Sequence, residues 1–182
     1  MISDLDVGAY IYAKMGWIDS WRLQKLTYYS QSWSLAWTGR PLFNDQIQAW
    51  SDGPVAPTLF RVNKYESLPM STDLPGADVA RLHPDAARTI DSVLAFYGEF
   101  NKASLIELTH NESPWHDAFN CGRNSEITRG AMLGFYSKLS AIGGAVPERP
   151  SLGETVVDIN RFFTRAAFQQ QRWAATLERL AQ

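Results

Sequence analysis

The stretch DSWRLQKLTYYSQSWSLAWTG, residues 19–39, decides the fold class. Leu23, Leu26, Tyr29, Trp33 and then Ala36 or Trp37 recur at steps of three and four, which lines them up on one face of an α-helix. Asp19 or Ser20 is a good N-cap, and Gly39 is the residue type that ends helices most easily. Arg22, Lys25, Ser32 and Thr38 fall mostly off this stripe, with Gln24, Tyr28 and Gln31 at its margins. The expected helix therefore lays five bulky side chains against the domain centre and serves as the scaffold's spine. Trp21 and Tyr28 are expected to form a second packing face or an exposed patch.

The flanking segments continue the helical pattern. Val7, Tyr10, Ile11 and Met15, with Ser3 as N-cap, Asp6 three residues later and Gly16 after the end, predict a short helix over 4–15. Residues 40–53, RPLFNDQIQAWSDG, break the period at Pro41 and Gly53, and their alternation of Gln and apolar residues predicts at most a very short β element near 46–50. Pro54, after the turn residues Asp52 and Gly53, reads as the first position of a helix over 54–64. Residues 66–82, with Pro69, Pro75 and Gly76, read as a surface loop. His83-Pro84 opens a helix carrying Ile90, Val93, Leu94, Tyr97 and Phe100, followed by a shorter one over 104–111. Ser113-Pro114 reads as N-cap and first position of the next, and Met132, Phe135, Tyr136 and Leu139 mark another that ends near Gly143. The expected fold class is mainly α: a compact helical domain, with a long helix after it.

That last helix follows IGGAVPERPSLG, residues 142–153, whose three Gly and two Pro hold neither a helix nor a central strand and so read as a linker. Beyond it Val156, Ile159, Phe163, Ala166, Gln170, Trp173, Leu177 and Leu180 fall at alternating steps of three and four, a heptad-like seam interrupted by Gln170. The expected division is 1–141, a 142–153 linker and a 154–182 helical extension. The seam must be buried: by folding back on the domain, by pairing with its own copy in a homodimer, or by accepting another protein.

Composition excludes several classes. The formal net charge is −2 and no Lys/Arg cluster stands out, which argues against a nucleic-acid partner. Nine Phe, seven Tyr and seven Trp supply more rings than a disordered chain carries. Cys121 is the single cysteine, so no intrachain disulfide and no cysteine-rich zinc site is expected. No secretory leader or membrane span is read, and the expected address is the cytoplasm. His110, His116, Asp117 and Cys121 lie close in sequence, but His110 and His116 are six apart across a proline, off the spacing of helical metal ligands, so no metal or cofactor is expected. His110 reads instead as a partly buried residue whose positive form suits a helix end. No nucleophile elbow or phosphate loop occurs, and Glu107 and Glu112 fall on different helix faces, so no catalytic site and no enzyme is expected.

Two stretches carry a resemblance: LQKLTYYSQSWSLAWTGRPLFNDQIQAWSDGPVAPTLF, residues 23–60, and LTHNESPWHDA, residues 108–118. Together they resemble the Panacea, or SocA-like, antitoxin domain, over about residues 4–141. Gln24, Lys25, Tyr28, Tyr29 and Trp33 match its helical motif, Trp50, Gly53, Pro54 and Val55 its turn motif, and Thr109, His110, Pro114 and Trp115 its second element. The resemblance implies an antitoxin that neutralises a cognate protein toxin by binding it, without catalytic residues. The matching residues suit a scaffold, with Trp33, Trp50 and Trp115 joining the segments; the alternative for some of them, Lys25 and His110 foremost, is a polar surface pocket. The tail from 142 lies outside the resemblance, so Phe163, Ala166, Gln170, Trp173, Leu177 and Leu180 are the expected partner-binding residues. The alternative is a proteolytic adaptor that delivers the toxin to a protease.

Overall fold

The computed structural model describes residues 1–63 and 71–151. Among them are seven α-helices and one two-stranded hairpin, so the fold is mainly α. Helix α1 is Asp4–Met15, with Ser3 and Asp6 forming a reciprocal capping box. Helix α2 is Ser20–Thr38, opened by the Asp19 side chain, which accepts from Arg22 N, and closed by Gly39 in the left-handed region at φ 69°. Strands β1 (Gln48–Trp50) and β2 (Gly53–Val55) pair antiparallel. Then come α3 (Pro57–Asn63), a 3-10 turn (Val79–Arg81), α4 (Pro84–Tyr97), α5 (Lys102–His110), α6 (Ser113–Cys121) and α7 (Arg129–Ile142). No helix among the described residues is long and apolar enough to cross a membrane.

Helix α2 runs through the centre, packed against α7, α4, α1, α5 and the hairpin. Its expected stripe is buried, with Leu23, Leu26, Tyr29 and Trp33 at 0 % exposure. The stripe is not the helix's only buried face: Gln24, Lys25, Thr27, Tyr28, Ser30, Gln31, Ser32 and Ser34 are buried as well. Three of these polar side chains, Gln24, Gln31 and Ser34, bond the backbone of segments outside the helix, which offsets the cost of their burial. Gln31 clamps the chain after α2, its Oε1 accepting from Leu42 N at 2.7 Å and Phe43 N at 3.2 Å while its Nε2 donates to Phe43 O at 2.9 Å. Gln24 Oε1 accepts from Ala56 N at 2.8 Å, tying the hairpin's end to the spine. Tyr28 joins a second packing face, whereas Trp21 is half-buried at the surface.

Three boundaries differ from expectation. Pro54 does not open a helix: it lies in β2 opposite Ala49, and α3 begins at Pro57, with Asp4 Oδ2 accepting from Leu59 N at 3.0 Å. The outer edge of β1 is covered by residues 125–127, through Ala49 N to Ser125 O and Ile127 N to Ile47 O, both 2.8 Å. Flanked this way, the two arms 48–50 and 53–55 are held as strands, and the proline occupies a strand position without its N–H. Ser113 is the first helical residue of α6 rather than its cap, because Glu112 takes the cap position. Phe100 lies beyond α4 and packs partly buried against the core. The compact unit runs Met1–Ser151, and Arg149 Nη2 donates to Trp37 O at 2.9 Å. The C-terminal seam of Phe163, Ala166, Gln170, Trp173, Leu177 and Leu180 lies outside the described residues.

Candidate functional site

The first turns of α2 and the hairpin enclose a cavity of about 260 Å³ lined by Ser20, Trp21, Gln24, Lys25, Trp50, Ser51, Asp52, Val55 and Phe60. Its position follows from the hairpin: Gly53 at φ 101° turns the strand over the Lys25 side chain, and a Cβ there would fall 2.6 Å from Lys25 Cε and 2.9 Å from Thr109 Oγ1. Only glycine fits that approach. Lys25 is 1 % exposed and makes no hydrogen bond or ion pair among the described residues. Burial pushes its ammonium down to about 8, against the pull of Asp52. Gln24, beside it, uses only its oxygen; its Nε2 is buried without a partner. At the rim Trp21 Nε1 donates to Asp52 Oδ2 at 3.2 Å, and the Lys102 ammonium sits 3.3 Å over the Trp21 ring. Trp50 and Phe60 meet edge to face at 4.9 Å and form a wall shared with a wider groove of about 440 Å³.

The third motif segment braces the same hairpin. Trp115 Nε1 donates to Trp50 O at 3.0 Å, and the Trp115 ring stacks on His110 at 3.9 Å and on Phe119 at 4.7 Å. Thr109, fully buried, donates to Leu105 O and Ile106 O from the end of α5. The expectation that His110 favours its positive form is corrected. Burial and the Lys25 charge hold its imidazole below the usual histidine range, and the Ser51 carbonyl lies nearby outside hydrogen-bond geometry. Gln24, Lys25, Trp50, Gly53, Val55, Thr109, His110 and Trp115 thus converge on one corner, with Pro54 and Pro114 buried beside it. His116, Asp117 and Cys121 do not join them: all three are exposed, and among the described residues no three His, Cys, Asp or Glu side chains come together in a metal-binding group.

Tyr28, Tyr29 and Trp33 belong to a different centre. Tyr29 stacks on Tyr97 at 3.9 Å and 8°, Tyr136 meets Tyr28, Tyr29 and Trp33 edge-on, and Trp33 Nε1 donates to the Tyr97 hydroxyl at 3.3 Å. Into this cluster reaches Glu112, which sequence reasoning set aside. Its Oε1 accepts from Tyr29 OH at 3.2 Å and its Oε2 from Tyr136 OH. Burial pushes its carboxyl up to about 7, with the two tyrosine hydroxyls pulling the other way. Because the folded state holds this proton more tightly than the unfolded chain, Glu112 favours folding most below about pH 4.5, and that contribution is lost as pH rises through about 7. Glu112→Gln is therefore expected to flatten the decline in stability between about pH 5 and pH 8, and to raise stability at pH 8 by about 2 kcal/mol. Denaturant midpoints of both proteins at the two pH values measure this.

Fold and cavity together define a small helical module with a recess at one end of its central helix. The chain matches the family model described as Antitoxin SocA-like, Panacea domain, over residues 23–116, just over half of its 182 residues. It belongs to that family. The matched span takes in the hairpin, the bracing tryptophan and the cavity's lining except Ser20 and Trp21. No curated protein and no solved structure matches the chain.

Proposed function

We propose that the protein is the antitoxin of a toxin–antitoxin pair, acting in the cytoplasm on a cognate protein toxin that it neutralises by direct binding and without catalysis. The observation that carries this reading is membership of the SocA-like antitoxin family over residues 23–116. In this reading residues 1–141 are the platform, 142–153 the linker, and the seam of Phe163, Ala166, Gln170, Trp173, Leu177 and Leu180 is the toxin-recognition surface. Apolar anchors at steps of three and four suit helix-in-groove binding, and tryptophan is the commonest hot-spot type.

The test is co-expression with the product of the adjacent open reading frame. Growth is expected to recover with the full chain and not with a chain truncated at Gly153 that still folds. Full protection by the truncated chain would overturn the role of the seam. Mixing the two purified proteins separates neutralisation from protease delivery: an inhibited toxin supports direct binding, whereas a toxin fully active in a stable complex favours the adaptor.

A further inference from the structure

Lys25, 1 % exposed, and Gln24, whose Nε2 is buried, line one small cavity, and neither the ammonium nor the amide has an acceptor among the described residues. An unpaired ammonium in such a place costs stability, and natural sequences keep that kind of local conflict mainly where a ligand resolves it. We propose that the cavity binds a carboxylate carried on a flat apolar body, with the Lys25 ammonium and the Gln24 Nε2 amide donating to its two oxygens and Trp21, Trp50, Val55 and Phe60 enclosing the body.

The donor set selects the ligand class. Two adjacent donors match two carboxylate oxygens, whereas a phosphate dianion brings three acceptor oxygens and more charge than one lysine offsets. Among the described residues no arginine lines the cavity, and Asp52 at the rim opposes a dianion further. At about 260 Å³ the space is below the range of pockets for drug-sized ligands and suits a single aromatic acid or one chain-terminal residue. The aromatic walls supply the contact area, and a carboxylate without an apolar body would leave them unused. This inference stands on the cavity alone and does not require the toxin.

The test uses the full chain labelled with nitrogen-15 and follows the indole N–H resonances of Trp21 and Trp50. The probes are N-acetylphenylalanine, its uncharged amide, a short peptide ending in phenylalanine with a free carboxylate, and the same peptide amidated. At least one free acid is expected to shift both indoles and to bind about tenfold or more tightly than its amide. Binding of the small acid alone assigns the cavity to free organic acids, and binding of the free-acid peptide assigns it to a chain end. No shift with either acid up to about 10 mM, or equal affinity for acid and amide, overturns the proposal.

Lys25→Met is expected to abolish acid binding while melting at or above the parent's temperature, because it removes an uncompensated buried charge at nearly constant volume. Unchanged acid affinity in that variant overturns the proposal. Asp52→Asn, on the exposed rim, is expected to tighten acid binding several-fold, and unaltered affinity counts against the site. With Asp19, Asp52, Lys102 and His110 as the charged or titratable neighbours of Lys25, acid affinity is expected to fall as pH rises through about 8, where the unliganded ammonium loses its proton.

Discussion

Trp33→Ala is expected to lower the melting temperature by about 10–15 °C, the consequence of losing about 3–5 kcal/mol at the centre of the core. Trp33 is fully buried where α2 meets α4 and α7. It lies 5.3 Å edge-on from Tyr136 and 5.1 Å from Trp37, and its Nε1 donates to Tyr97 OH. Truncation leaves a void among rings that interlock from three helices, and those rings cannot collapse into it without breaking the Tyr29–Tyr97 stack. Trp33→Phe keeps a ring against Tyr136 and deprives Tyr97 of its donor, so its expected cost is about 1–2 kcal/mol. Differential scanning calorimetry of the two variants measures both, and a shift below about 3 °C for Trp33→Ala would remove Trp33 from its central position.

Gly53→Ala is expected to cost about 3 kcal/mol and to disorder the hairpin corner, through two effects that a control separates. One is the backbone: φ 101° is a conformation L side chains rarely adopt. The other is the new Cβ, which meets Lys25 Cε and Thr109 Oγ1 below 3.0 Å. Thr109 is held by its bonds to Leu105 and Ile106, and the end of Lys25 has to move into the cavity it lines. Gly39→Ala is the control. Gly39 has φ 69° and no atom within 4 Å of a built Cβ, so only the dihedral term applies, about 1 kcal/mol. Equal losses at the two positions would show that the close approach to Lys25 carries no weight. Urea denaturation of the two variants measures the difference.

Much of this architecture was legible because its signals are local. The Ser3/Asp6 box, the Asp19 cap and Gly39 are read within one turn of chain, and they place α1 and α2 correctly. Pro54 misled because a proline after Asp-Gly looks the same before a helix as it does in a strand. What decides the matter is pairing with Ala49 and the cover of residues 125–127, and both are tertiary. The polar face of α2 misled for a related reason: periodicity assumes that Gln and Ser face water, while Gln24 and Gln31 face backbone amides of segments that follow later in the chain. The motif residues named the corner around Lys25 and, in Trp50 and Val55, part of its wall, but not Trp21, Asp52 and Phe60, which join it only when the hairpin folds onto α2. Glu112 was in view inside the second motif stretch. Its tyrosine partners, 83 and 24 positions away, supply the meaning that spacing could not.

The burial of α2 on every side sets a timetable for synthesis. As the nascent chain leaves the ribosome, this helix emerges before α7, whose residues cover its rings. Until α7 follows, Tyr28, Tyr29 and Trp33 are without their native lid, and the unfinished product must rely on chaperones or be cleared by proteases. A message cut before Tyr136 would therefore yield waste, not a weaker version of the finished molecule.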